Sequence, residues 1–71
     1  MSHYITVIVV KDGRGQAGCR VKAYGGQEQR TDSSGKATIE AAGSNVTIYV
    51  DGSQKYDGSA SRCPNPLTIH K

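Results

Sequence analysis

Tyr4-Ile5-Thr6-Val7-Ile8-Val9-Val10, closed by Lys11-Asp12-Gly13, is the stretch that decides the fold of this chain. Every residue of the run except Tyr4 is β-branched. Such side chains lose χ1 freedom in a helix and pack well on a pleated surface, so the run reads as a strand. The Lys-Asp-Gly that follows supplies a tight turn. Side chains alternate along a strand, which puts Ile5, Val7 and Val9 on one face and Ile8 and Val10 on the other. Both faces are therefore apolar. That pattern predicts a strand covered on both sides, or one whose second face meets another subunit, and it makes Ile8 and Val10 the candidate self-association strand.

Outward from this run, the rest of the chain alternates in the same way. Gly13 to Gly18 reads as a loop, and Cys19-Arg20-Val21-Lys22-Ala23-Tyr24 then alternates cleanly until Gly25-Gly26. Cys19, Val21 and Ala23 point inward; Arg20, Lys22 and Tyr24 point outward. Gln27 to Thr31 suits a short polar edge strand. Thr31-Asp32-Ser33-Ser34-Gly35 is a turn cluster, and Lys36 to Glu40 alternates with Ala37 and Ile39 inward. Ala41-Ala42-Gly43-Ser44 reads as a connection of small residues. Asn45 to Val50 is the next strand, with Val46, Ile48 and Val50 on the core face, and Asp51-Gly52 begins a hairpin reversal. Gln54-Lys55-Tyr56 is a weak strand ended by Asp57-Gly58. Leu67 to His70 closes the chain, after Pro64 and Pro66. No window carries apolar residues at helical spacing over three turns. The expected architecture is all-β, a small Greek-key sandwich of about six or seven strands formed by residues 1–71 as one domain.

Composition narrows the options. The chain has 71 residues, 35% of them hydrophobic, with four Tyr but neither Phe nor Trp, so the core must come from Val, Ile and Ala with some help from Tyr. A core this lean leaves a thin stability margin. The net charge of +3 is spread along the chain without a basic run, which argues against assigning nucleic acid or membrane as partner from charge alone. Ile5 to Val10 has no basic leader or small-residue cleavage site and is too short to span a bilayer, so no membrane role is expected and no compartment is assigned.

The ordered set of Gly18, the alternating strand ending at Tyr24, Thr31-Asp32-Ser33-Ser34-Gly35-Lys36-Ala37, and Val46-Thr47-Ile48-Tyr49-Val50 before Asp51-Gly52 resembles the transthyretin-like (prealbumin-like) sandwich domains, which include the carboxypeptidase regulatory-like domains. The resemblance covers residues 4–58 and is sharpest at Thr31, Asp32, Gly35 and Ala37. It implies a module that braces or binds. Bacterial Ig-like modules share the same turn, and the Cys63-Pro64-Asn65-Pro66 segment has no match in the transthyretin-like pattern.

Several motifs suggest chemistry. Gly13-Arg14-Gly15-Gln16-Ala17-Gly18 fits G-x-G-x-x-G directly after a strand, but an alternating strand follows where a dinucleotide site needs a helix N-terminus. Tyr56-Asp57-Gly58-Ser59 is similar to the Tyr-Arg-Gly-Ser ending of 5-hydroxyisourate hydrolases, which are transthyretin-like enzymes. Here Asp57 replaces the arginine and the tetrapeptide lies inside the chain, so a plain turn accounts for it better. Cys19 and Cys63 are the disulfide candidate, which would imply a secreted or cell-surface setting; two reduced thiols, or a zinc tetrad with His3 and His70, are the alternatives. Asn45-Val46-Thr47 fits a glycan sequon without a secretory signal. No nucleophile–base pair or carboxylate pair assembles, so no catalytic residue, cofactor or metal is expected.

The surface most suited to binding is the outward row Arg20, Lys22 and Tyr24, joined by Tyr49 if its strand lies in the same sheet. Two tyrosines among cations form a platform for stacking, whereas an ordinary solvated face would lay Lys and Arg stems over the rings. The leading expectation is a non-catalytic binding or structural module, with a protein partner or self-association. A small nucleic-acid-binding barrel of the OB or cold-shock kind is the alternative, and a hydroxyisourate-hydrolase-like enzyme the third.

Overall fold

The computed structural model describes residues 2–71, which form an all-β sandwich of two sheets. Its strands are β1 (Ser2–Lys11), β2 (Arg14–Gly15), β3 (Arg20–Ala23), β4 (Glu28–Arg30), β5 (Lys36–Ala42), β6 (Asn45–Val50), β7 (Ser53–Ser59) and β8 (Leu67–His70). The first sheet is built on β1, which pairs antiparallel with β5 and with the short β2, and parallel with β8. Val9 bonds to Gly35 and Gln16, whereas Val10 accepts from the Lys71 amide. Successive strand residues turn their backbone groups to opposite edges, so β5 and β2 flank β1 on one side and β8 on the other. The second sheet runs β4-β3-β6-β7, all antiparallel.

The alternating residues place the core between the sheets. Ile5, Val7 and Val9 of β1 meet Ile39 of β5, Val21 of β3, and Ile48 and Val50 of β6; these are the largest wholly buried side chains. Ile8 and Val10 sit on the outer face of β1 and are half-buried. Because β1 is an inner strand, it offers a partner no free edge over this stretch, only a face.

Two hairpins turn on Asp-Gly pairs. Asp12 and Gly13, and again Asp51 and Gly52, all have positive φ. That geometry matches the right-handed twist of the flanking strands. The Thr31–Gly35 turn closes as its residue types require. Asp32 Oδ1 accepts from the Ser34 amide at 2.9 Å, the Ser34 hydroxyl at 2.7 Å and the Lys36 amide at 3.0 Å. The buried Thr31 hydroxyl donates to the Gln16 carbonyl and accepts from the Cys19 amide, tying this turn to the loop before β3.

Three boundaries differ from expectation. The loop after Gly13 holds the two-residue β2. β5 runs through Ala41 and Ala42, because Ala41 is a core residue paired with His3. β7 continues through Asp57-Gly58 to Ser59 instead of turning there. The Thr47 hydroxyl donates to Asp57 Oδ1 across the ladder at 2.8 Å, and the Tyr56 hydroxyl reaches the Ser59 carbonyl over Gly58. Tyr-Asp-Gly-Ser is therefore the body of a strand.

Candidate functional site: a basic and aromatic sheet face

In the register of the second sheet, Lys22 lies opposite Tyr49, and the Tyr24 amide donates to the Thr47 carbonyl. Residues that pair across a ladder point to the same face. Arg20, Lys22 and Tyr24 of β3 and Tyr49 of β6 therefore share the outer face, as the alternation predicts. Together with Glu28 and Gly52 they line a shallow depression of about 350 Å³. Tyr24 is 80% exposed, the most exposed large hydrophobic among the described residues, whereas Tyr49 is half-buried. Tyr24 also borders a second depression, of about 360 Å³, with Ala23, Glu40, Val46 and Thr47.

Two features of this face escape a reading of single strands. β4 pairs with β3 so that Arg20 faces Arg30 and Lys22 faces Glu28. The first pairing sets two like charges side by side, and only the strand register reveals it. Gly52 closes the end of the depression because the β6–β7 hairpin folds back beside Arg20. There the Arg20 amide donates to Asp51 Oδ1 at 3.0 Å, and Asp51 Oδ2 pairs with Lys71 Nζ at 2.5 Å. The Lys71 ammonium, then the Arg20 amide, hold the Asp51 carboxyl below its ordinary range, and the same contact raises Lys71.

The cysteines do not form the expected disulfide. Both are free, buried thiols, and they sit at opposite ends of the sandwich. Cys19 Sγ lies 3.8 Å from Lys71 Nζ, and the Lys71 amide bonds to Val10. Cys63 lines a depression with Tyr4 and Ile5. The stretch of β1 from Ile5 to Val10 spans about 17 Å at ~3.3 Å per residue. A disulfide needs Cα atoms within about 7 Å. Burial pushes the Cys63 thiol up, as an apolar site should. The zinc tetrad fails for the same reason: His3 lies with Cys63, and His70 pairs with Val10 at the other end. Among the described residues no group of three or more His, Cys, Asp or Glu side chains is placed to hold a metal ion.

The remaining motifs resolve into structure. Gly15 of the G-x-G-x-x-G segment lies against the Ser34 carbonyl, where any Cβ would collide, and β3 follows the segment. Asp57 of the Tyr-Asp-Gly-Ser segment is bonded to Thr47 on the outer face of the second sheet. The Cys63–Pro66 segment, unexplained by sequence, serves β1. Asn65 Nδ2 donates to the Tyr4 carbonyl and Asn65 Oδ1 accepts from the Thr6 amide, both at 3.0 Å. The side chain thereby continues the β8 ladder toward the start of β1.

Compared with known proteins, the chain matches no family model, no curated protein and no solved structure.

Proposed function

We propose that this domain is a non-catalytic binding module of transthyretin-like design that docks a protein partner on the outer face of β3 and β6. Two four-stranded sheets in a small all-β sandwich are consistent with that design. One observation carries the functional reading: Arg20, Lys22 and Tyr24, alternate residues of one stretch, share a sheet face with Tyr49 of β6 around a shallow depression. An exposed tyrosine is useful at an interface, where its ring is buried and its hydroxyl finds a partner. The depression is open and lacks the enclosure of a small-molecule pocket, so a chain laid along the sheet fits it better than a buried ligand.

An array of peptides of defined sequence, probed with the labelled domain, tests this. The domain should select a subset, and Tyr24→Ser and Lys22→Glu should each abolish the selection while leaving the amide NMR spectrum folded. Binding unchanged by either substitution would refute the assignment of the face.

A second reading rests on the outer face of the first sheet, where Tyr4, 65% exposed, stands in line with the half-buried Ile8 and Val10. A second copy of the domain packed on this face would cover that row. Sedimentation velocity separates the two readings. A dimer lost in the Ile8→Lys, Val10→Lys variant supports self-association, and a monomer at all concentrations removes it.

A further inference from the structure

Arg20 and Arg30 lie directly opposite each other on β3 and β4, and both are exposed. Like charges in that position repel and weaken the sheet. Proteins commonly relieve such a pair with a neighbouring carboxylate, yet among the described residues the one ion pair is Lys71 with Asp51. Asp51, the acid nearest Arg20, is already engaged by the Lys71 ammonium and the Arg20 backbone amide. Glu28 faces Lys22 across the ladder without closing an ion pair with it. The face thus carries three cations, Arg20, Lys22 and Arg30, against two acids, Glu28 and the Asp57 that the Thr47 hydroxyl engages, beside an exposed tyrosine ring.

We infer that the face takes an acidic, extended segment of a partner polypeptide, whose carboxylates bridge Arg20 and Arg30 while an adjacent apolar or aromatic side chain lies on Tyr24 and Tyr49. This rests on the protein-docking reading above and names the chemistry of the partner. Arginines at opposite positions of a ladder lie within reach of one carboxylate, and a guanidinium group matches a carboxylate in bidentate fashion. A bound carboxylate would also remove the Arg20–Arg30 repulsion, so the bound state recovers what the free domain forgoes. Single-stranded nucleic acid fits the face less well. Platforms for it stack successive bases on several free rings. On this face only Tyr24 projects freely, since Tyr49 is half-buried.

The test uses the ¹⁵N-labelled domain titrated separately with four probes: an Asp/Glu-rich peptide of about ten residues containing one Tyr, its Asn/Gln counterpart, a Lys-rich counterpart, and an oligothymidylate of similar length. The acidic peptide should shift amides of β3, β4 and β6. It should bind at least about tenfold more tightly than the Asn/Gln peptide and weaken as salt rises. Arg20→Glu with Arg30→Glu should abolish that preference. The milder Arg20→Gln with Arg30→Gln, which removes charge without reversing it, should reduce it in step and guards against a folding defect. Equal binding of the acidic and Asn/Gln peptides would overturn the inference and leave the docking reading standing. Binding of no peptide would overturn both. Tighter binding of oligothymidylate at the same amides would replace the acidic peptide with nucleic acid.

Discussion

Gly15 and Gly35 touch back to back, and that contact locks the turn after Thr31 to the end of β1. Gly35 has φ +87°, and a Cβ there would lie 2.5 Å from the Val9 carbonyl oxygen. Gly35→Ala combines left-handed strain with a steric clash against backbone that cannot swing aside. It should lower the free energy of unfolding by more than ~2 kcal/mol, read from urea denaturation. An unchanged midpoint would refute the close approach. The need for glycine at position 35 is legible from its neighbours, because Thr-Asp-Ser-Ser-Gly is a turn on local grounds. The need at Gly15 is not, because the atom it must avoid belongs to Ser34. Beside it, the Ser34 hydroxyl, then the Lys36 and Ser34 amides, hold the Asp32 carboxyl below its ordinary value of 3.8. A carboxylate with a depressed folded-state pKa stabilises the fold above its unfolded-state pKa and loses that contribution as pH falls through the folded value. Thermal stability should therefore fall from about pH 5 toward pH 2, and Asp32→Asn should flatten that slope. Asp51 adds to the slope with the same sign. Identical slopes in the variant and the wild type would count against the turn geometry.

At the scale of elements, the strands with strong alternation were readable and those defined by a distant partner were not. The runs at Tyr4–Val10, Cys19–Tyr24 and Asn45–Val50 carry their core faces in their own residue order. β7 does not. Its Asp57-Gly58 has the local chemistry of a turn, and the ladder to β6, with the Thr47 hydroxyl opposite and the Tyr56 ring over Gly58, keeps it extended. The Asn65 clamp is likewise invisible in sequence, since its two bonds reach strand residues some sixty positions away. It holds the edge of β1 that β8 leaves unpaired before Val7. Asn65→Ala should cost about 1–2 kcal/mol, as expected for two partly solvated hydrogen bonds. It should also speed hydrogen exchange at the Thr6 amide while leaving Val9 protected. Uniform exchange across β1 in both proteins would mean that Asn65 does not act as a strand extension.

For the whole molecule, the candidate face depends on how β3, β4 and β6 register against one another. A strand has period two, so a slip of one residue would turn Tyr49 and Lys22 into the core and bring Ile48 and Val21 out to solvent. The sequence carried the content of this face, Arg20, Lys22, Tyr24 and Tyr49, but not the Arg20–Arg30 juxtaposition, which arises only when β4 finds its register. Nor did it carry the separation of Cys19 from Cys63, since two inward-facing cysteines look bridgeable until the sheets place them at opposite ends. The register is tested most directly by nuclear Overhauser contacts of the Tyr49 ring in the free domain. The account predicts contacts from that ring to the Lys22 methylenes and none to the methyls of Val7 or Ile39. Strong contacts from Tyr49 to those core methyls would mean the sheet is out of register, and the basic and aromatic face would not exist.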